Sequence, residues 1–354
     1  MKVLVATTSI GDLDPVRATQ VIGGAWTDRS PHVTLTTRPM SAGGGGFVSA
    51  VGAVPSAEQR LVVHDDEPVT VVRDADGRVY VEAAQVLAVR REDRSSYALG
   101  QVLAGLVADG VTDLVVGVGD VTCLDGGLGM LQALVDGDAP ADDLTWLDEL
   151  RDRLRDVRIT AAVDDNLPLL GFHGAAASAG LDAQEAQARE QAMGAYVDRA
   201  RRVVPAARDL LTGNERRLDR EPGAGAGGGL AYGLLLLGGR LREAPDVVAE
   251  VNGLEEAIAA ADLVVTGETV FDWRSLEHSV LARVSRSAAA AAKPVVVLAH
   301  EQQVGRREAM SLGIAGTYSV IDPGRRGPDR RTGQEPEVRL ASLVRRVAGT
   351  WTPA

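Results

Sequence analysis

The chain has 354 residues, 45% hydrophobic and 24% charged, the make-up of a folded globular protein long enough for two domains at roughly 100–200 residues each. Forty-nine acidic against 37 basic side chains leave a net charge of −12, which excludes nucleic acid and anionic membranes as general partners. Cys123 is the only cysteine, so no internal disulfide can form, in keeping with a reducing cytoplasm.

The first apolar run, Val3–Val5, is broken at once by threonines and reads as a buried strand rather than a signal peptide. Strand-like runs follow at Val33–Thr36, Leu61–Val63 and Val69–Val72. The pair Asp76-Gly77, between extended runs in Arg73–Ala84, is a hairpin signal and is taken as the edge of a second domain. Next come a helix at Tyr97–Ala108, a strand at Leu114–Val116, a helix at Leu144–Arg155 and a strand at Ile159–Ala161. Helices at Leu181–Leu211 and Val247–Ala261 precede a strand at Leu263–Thr266 and a helix at Leu276–Ala292. Strands at Val295–Leu298 and Thr317–Ile321 complete the pattern, and Asp322–Pro336, rich in Arg, Gly, Pro and Asp, reads as an exposed loop.

Most of these strands are continuously apolar, as strands buried on both faces are. Their alternation with helices predicts a two-domain α/β protein, its mostly parallel sheets covered by helices on both faces. Residues 1–72 and 245–354 are expected to form one discontinuous, Rossmann-like α/β domain, with 73–244 inserted as a second α/β domain. The longest apolar stretches, around Leu230–Leu237 and Ala288–Ala299, are interrupted and fall short of the ~18–20 residues of a membrane span.

Four stretches carry chemistry. Ser41–Phe47 (SAGGGGF), Gly117–Gly129 (GVGDVTCLDGGLG) and Pro222–Gly233 (PGAGAGGGLAYG) are glycine-rich. The second follows an apolar strand, the arrangement that holds anions in many α/β proteins, yet it contains two aspartates and no cation. Its other reading is packing: glycines for close helix–sheet approach, with Asp125 as helix N-cap. The third contains G-x-G-x-x-G but follows Arg220-Glu221 instead of a strand, which weakens a dinucleotide reading. The fourth, Ala261–Asp272, ends a strand in Thr-Gly-Glu, where ligands bind in α/β sheets; alternatively, Glu268 and Asp272 cap the helix near Leu276. No P-loop, G-x-S-x-G or H-E-x-x-H pattern is present, and five scattered histidines show no metal-ligand spacing. Lysine occurs only as Lys2 and Lys293, neither in a glycine loop, so a loop lysine on a phosphate is excluded unless an arginine replaces it.

In order and wording these stretches resemble the type I bacterial glycerate kinase family. Its motifs A-P-D-S-F-K-G-S-L-S, P-M-A-D-G-G-E-G-T and G-I-G-G-S-A-T-N-D-G-G-A-G-M-L-Q-A-L correspond to Ala6–Asp14, Pro39–Phe47 and Gly117–Leu134. N-P-L-L-G-P-N-G-A, P-G-A-G-A-A-G-G and T-G-E-G-R-L-D-x-Q-T correspond to Asn166–Gly174, Pro222–Gly229 and Thr266–Ser275. Asp125–Leu134 (DGGLGMLQAL) is especially specific.

The resemblance implies a glycerate kinase type I-like fold and ATP- and Mg²⁺-dependent phosphorylation of D-glycerate. It implies a small-molecule ligand in an interdomain cleft and leaves a homodimer open. By the same resemblance Asp125, Glu268 and Asp272 are the catalytic candidates. Asn166, Gly223, Gly225, Gly227, Gly228, Gly267 and Arg274 are the substrate- and nucleotide-binding ones, and no residue is assigned to a metal.

The chain also departs from the motifs. The family's Asp is Thr8, and its Lys is deleted between Ile10 and Gly11. Ala42 and Gly45 replace an Asp and a Glu. Asp120 replaces a Gly; Val121, Cys123 and Leu124 replace polar residues; Val270 replaces an Arg. Phosphoryl transfer depends on cations that offset developing charge, so three readings stand: an active kinase, a degenerate ligand-binding or regulatory relative, and a site for a less anionic ligand.

Overall fold

In the computed structural model the described residues are all but 65–66, 88–93, 122, 136, 138, 205–212, 214–215, 322–334 and 354. The described strands are β1 (Lys2–Val5), β2 (Thr34–Thr37), β3 (Glu58–His64), β4 (Glu67–Arg73), β5 (Val79–Glu82), β6 (Asp113–Gly117), β7 (Arg158–Val163), β8 (Arg240–Glu243), β9 (Leu263–Phe271), β10 (Val295–Gln302) and β11 (Ile314–Ser319). They form two sheets in two compact units, one of residues 1–42, 49–55 and 245–354, the other of 43–48 and 56–244.

The sheet of the first unit runs β11-β10-β9-β1-β2, every pair parallel. Parallel strands need crossover connections, and the helices these supply cover the sheet. Pro15–Arg29 begins at Asp14, whose Oδ1 accepts the N–H groups of Val16 and Arg17 at 2.9 and 3.0 Å. Its Ile22 and Trp26 pack with Leu343 and Val347 of the helix Pro336–Trp351 over Val3, Val5, Val265 and Leu298. The intervening strand residues Leu4, Val264 and Val297 are equally buried, and the helix Val280–Ala290 lies on β9 and β10.

The sheet of the second unit runs β3-β4-β5-β6-β7-β8. β5 to β8 are parallel, and β3 and β4 are antiparallel additions. The Asp76-Gly77 hairpin forms as expected between β4 and β5, with Gly77 at φ +86° and Asp74 Oδ1 accepting the N–H groups of Asp76 and Arg78. Since β3 and β4 join this sheet, the second unit takes in residues from 56 onward instead of starting at 73. β3 is an edge strand and is not buried: Leu61 and Val63 are 69% and 70% exposed.

Other expectations need correction. The helix expected over Val247–Ala261 is two, Ala244–Asn252 and Leu254–Ala260, divided where Gly253 takes φ +66°. The helix expected from Leu276 starts at Val280 and is capped by Ser279, whose Oγ accepts the Ala282 N–H at 3.0 Å. The helix expected over Leu181–Leu211 is Ala183–Val203, and residues 205–211 lie outside the described residues. The loop expected over Asp322–Pro336 lies outside them up to residue 334, and the helix Pro336–Trp351 starts at its far end. Among the described residues no helix is long and apolar enough to cross a membrane.

Candidate active site

β6 feeds into the stretch Gly117–Gly129, and the helix Leu128–Ala133 follows. This loop is interlocked with Pro222–Gly229. The Gly126 N–H donates to the Gly228 carbonyl at 3.2 Å, and the Cys123 thiol donates to the Gly227 carbonyl at 3.2 Å. A Cβ at Gly228 would collide with the Cys123 carbonyl oxygen, and Gly228 sits at φ +64° besides. A Cβ at Gly227 would come to 2.5 Å from the Val118 carbonyl oxygen, and one at Gly225 would strike the Pro168 carbonyl. Gly223 lies under the Asp165 carbonyl, 3.1 Å from where its Cβ would be. These four predicted binding glycines are thus positions where backbones meet. The N–H groups that a phosphate would need are partly committed to the chain itself.

Asp125 is committed as well. Its Oδ1 accepts the Gly127 N–H at 3.0 Å. Its Oδ2 accepts the Ser96 N–H and hydroxyl at 2.8 and 2.9 Å and the Gly129 N–H at 3.1 Å. Ser96 in turn accepts the Met130 N–H at 2.8 Å. This knot joins the starts of the helices Tyr97–Ala108 and Leu128–Ala133. Two carboxylate oxygens that accept four hydrogen bonds are poorly placed to take a proton as well.

The Thr-Gly-Glu stretch is inside β9, whose strand continues to Phe271. Gly267 is closely packed: a Cβ would strike the Leu298 carbonyl, and the Thr7 hydroxyl donates to the Gly267 carbonyl at 2.9 Å. Glu268 does not cap a helix. Its Oε1 is buried without a partner, as is the Thr266 hydroxyl oxygen on the same face of the strand. Burial pushes the Glu268 carboxyl up to about 8; the Ser275 hydroxyl opposes this and the Asp272 charge adds to it. Asp272 Oδ1 accepts the Arg274 N–H at 2.8 Å and so starts the short turn Arg274–Leu276, not the longer helix beyond. The Arg274 guanidinium lies over the exposed indole of Trp273, 5.3 Å from the ring centre.

A cavity of about 500 Å³ opens entirely within the second unit, at the C-terminal ends of β6 and β7. Its polar wall is Arg94, Asp120, Asp164, Asp165 and Ser178, and Gly225, Gly227 and Gly228 complete one side. Asp164 follows β7 directly, and its Oδ1 is buried with no hydrogen-bond partner. Burial pushes this carboxyl up to about 7, and Asp165 and then Asp120 add to the rise. Asp120 takes φ +56°, and its Oδ2 accepts the Gly45 N–H at 2.9 Å. A Cβ at Gly44 would strike that same oxygen. Arg94 is 3.8 Å from Glu185. Asn166 is exposed beside this wall and does not line it.

Asp164 was missed in the sequence. The signal was there: an Asp-Asp pair directly after a buried run, at the strand end where α/β sheets bind ligands. The rule that singled out Thr-Gly-Glu selects Asp164 equally. Among the described residues no three His, Cys, Asp or Glu side chains are placed to hold a metal ion.

Two α/β units with mostly parallel sheets, a polar cavity among glycine loops at the ends of β6 and β7, and two carboxyls whose pKa burial raises define a two-domain α/β protein of the doubly wound kind. The chain belongs to the glycerate kinase family, whose model matches residues 3–352. It is 32% identical to an uncharacterized protein of Mycobacterium bovis over 91% of this chain and 84% of that one. It is 27% identical to the glycerate 2-kinase of Escherichia coli over 91% of each chain. The crystal structure of a putative glycerate kinase 2 from Salmonella typhimurium shares the fold, with a TM-score of 0.71, 23% identity and coverage of 99% of this chain and 96% of that one.

Proposed function

We propose that this protein is a phosphotransferase that acts on a hydroxyl of a small molecule, with Asp164 accepting the hydroxyl proton. The observation that carries this reading is the unpartnered Asp164 Oδ1 in the wall of a cavity of about 500 Å³. A carboxyl titrating at about 7 is substantially ionised at neutral pH and basic enough to take a proton as the oxygen begins to bond. Glu268, inside β9, is a second candidate for proton transfer. The family membership supports ATP as donor and glycerate as the reference acceptor.

Part of the glycine loops is closed to a phosphate. The Gly45 N–H holds Asp120, and the Gly126 N–H holds the Gly228 carbonyl. The described carboxylates do not fit a protein-built Mg²⁺ cage. What the chain's own residues account for is the acceptor side: binding the alcohol and removing its proton. The negative surface makes a small molecule in the cytoplasm, not a nucleic acid or a membrane, the expected partner.

An ADP-release assay with ATP, Mg²⁺ and a panel of small alcohols tests this. The expected result is turnover above a heat-killed control, falling roughly 10²-fold or more in Asp164→Asn. No turnover with any acceptor overturns it. The second reading, a ligand-binding relative without catalysis, is favoured by Asp125, whose oxygens are wholly engaged by Ser96, Gly127 and Gly129. Ligand binding without ADP release would support it.

A further inference from the structure

The cavity at the ends of β6 and β7 is unlike a site for a carboxylate. Among the described residues Asp120, Asp164 and Asp165 line it with one cation, Arg94, whose guanidinium is 3.8 Å from Glu185. One of these carboxylates, Asp120, stands where the motif that this stretch resembles has a glycine. Asp120 is fixed in place: its backbone is left-handed, and its Oδ2 holds the Gly45 N–H. Asp165 is fixed too, with Oδ1 accepting the Leu167 N–H at 2.8 Å. Asp164 keeps a buried oxygen with no partner, an acceptor left for whatever enters. Its neighbours on the wall, Val121, Leu124 and Ala175, are apolar, so charge in the cavity is screened less than at an open surface.

From this wall we infer that the cavity takes a small alcohol that is uncharged or positively charged, and that it excludes organic-acid anions such as glycerate. Carboxylates accept hydrogen bonds from hydroxyl and ammonium groups alike and offer none to a carboxylate. An anion that entered would meet at least two fixed negative charges within one cavity and, among the described residues, one arginine that is already paired with Glu185. The inference rests on the phosphotransferase reading for its chemistry, but binding alone tests it.

Three ligands of nearly equal size separate the effect of charge: D-glycerate, glycerol and 3-amino-1,2-propanediol. Calorimetric titration into the full chain without nucleotide is expected to rank the amino-diol first, glycerol next and glycerate last. Glycerate should bind at least tenfold more weakly than the amino-diol, and that ratio should shrink as salt rises from 0.05 to 0.5 M. Asp120→Asn tolerates the left-handed backbone and should narrow the ratio severalfold; thermal melting checks its fold. The Asp164→Asn variant should weaken the amino-diol more than glycerol. Glycerate binding as tightly as the other two, or no binding of any of them, overturns the inference. ADP release is then measured with the same three ligands. Absence of turnover with the binding order intact removes the phosphotransferase reading alone. Turnover that favours glycerate removes the charge preference and leaves phosphotransfer standing.

Discussion

Glu268 shows what burial does to a single side chain. Its carboxyl is held at about 8 in the folded protein, against 4.5 when unperturbed, because its surroundings penalise the charged form. Between these values the folded state keeps a proton that the unfolded chain has lost. The contribution to stability is therefore present below about pH 4.5 and declines as pH rises to about 8. Glu268→Gln removes the ionisation and should flatten this decline. Denaturant titration should find the variant more stable than the parent at pH 8.5, by on the order of 1–2 kcal/mol given the partial exposure, and no advantage at pH 4. A variant less stable at pH 8.5 would mean that an ionised Glu268 has a favourable partner.

Single residues also divide by how far the sequence revealed them. Asp125 was visible as a conspicuous acid after a strand, and its cap-like alternative is what its bonds to Gly127 and Gly129 describe. That its other partner would be Ser96, 29 residues away, is not written in the motif. Asp120 looked like an added charge against a phosphate. The structure gives that charge a place, on the Gly45 N–H.

At the scale of elements, glycines separate into those required by contact and those merely tolerated. Gly228, at φ +64° against the Cys123 carbonyl, belongs to the interlocked loops. Gly24, within Pro15–Arg29, has nothing within 4 Å of a would-be Cβ. Gly228→Ala should cost at least about 2 kcal/mol through strain and collision. Gly24→Ala should stabilise by roughly 0.5–1 kcal/mol, since alanine favours the helix and its methyl meets no neighbour. Thermal denaturation of the two variants checks both signs, and similar melting shifts in the two would contradict the interlock.

Strands were the most legible elements, because runs such as Leu114–Val116 and Val295–Leu298 are apolar throughout and lie buried on both faces. β3 misled for the same reason. Leu61-Val62-Val63 is as apolar as its neighbours, yet it lies at the sheet edge with two of the three residues facing outward. Helix ends depended on bonds that are local but easily misassigned: Ser279, not Asp272, caps the helix Val280–Ala290.

Across the whole molecule, the first unit is assembled from chain ends far apart in sequence. The Trp26 indole N–H donates to the Thr352 hydroxyl at 3.1 Å, and the Ser30 hydroxyl donates to the Thr352 carbonyl at 3.0 Å. Leu340, Leu343, Val344 and Val347 complete the core around Trp26. A chain truncated before residue 335 should therefore lose this core. A marked fall in melting temperature and a red-shifted Trp fluorescence are expected, and unchanged melting would refute the dependence.

The sequence by itself determined the α/β class, the hairpin at Asp76-Gly77 and the family, because periodicity, turn chemistry and motif order are local properties. Only the tertiary structure decided what the motifs are for. Whether a glycine faces a ligand or another backbone, and whether an aspartate is spent on N–H groups like Asp125 or left with an unpartnered oxygen like Asp164, depends on what folding brings beside it. Those neighbours come from strands and loops tens of residues away, and no short stretch of sequence contains them.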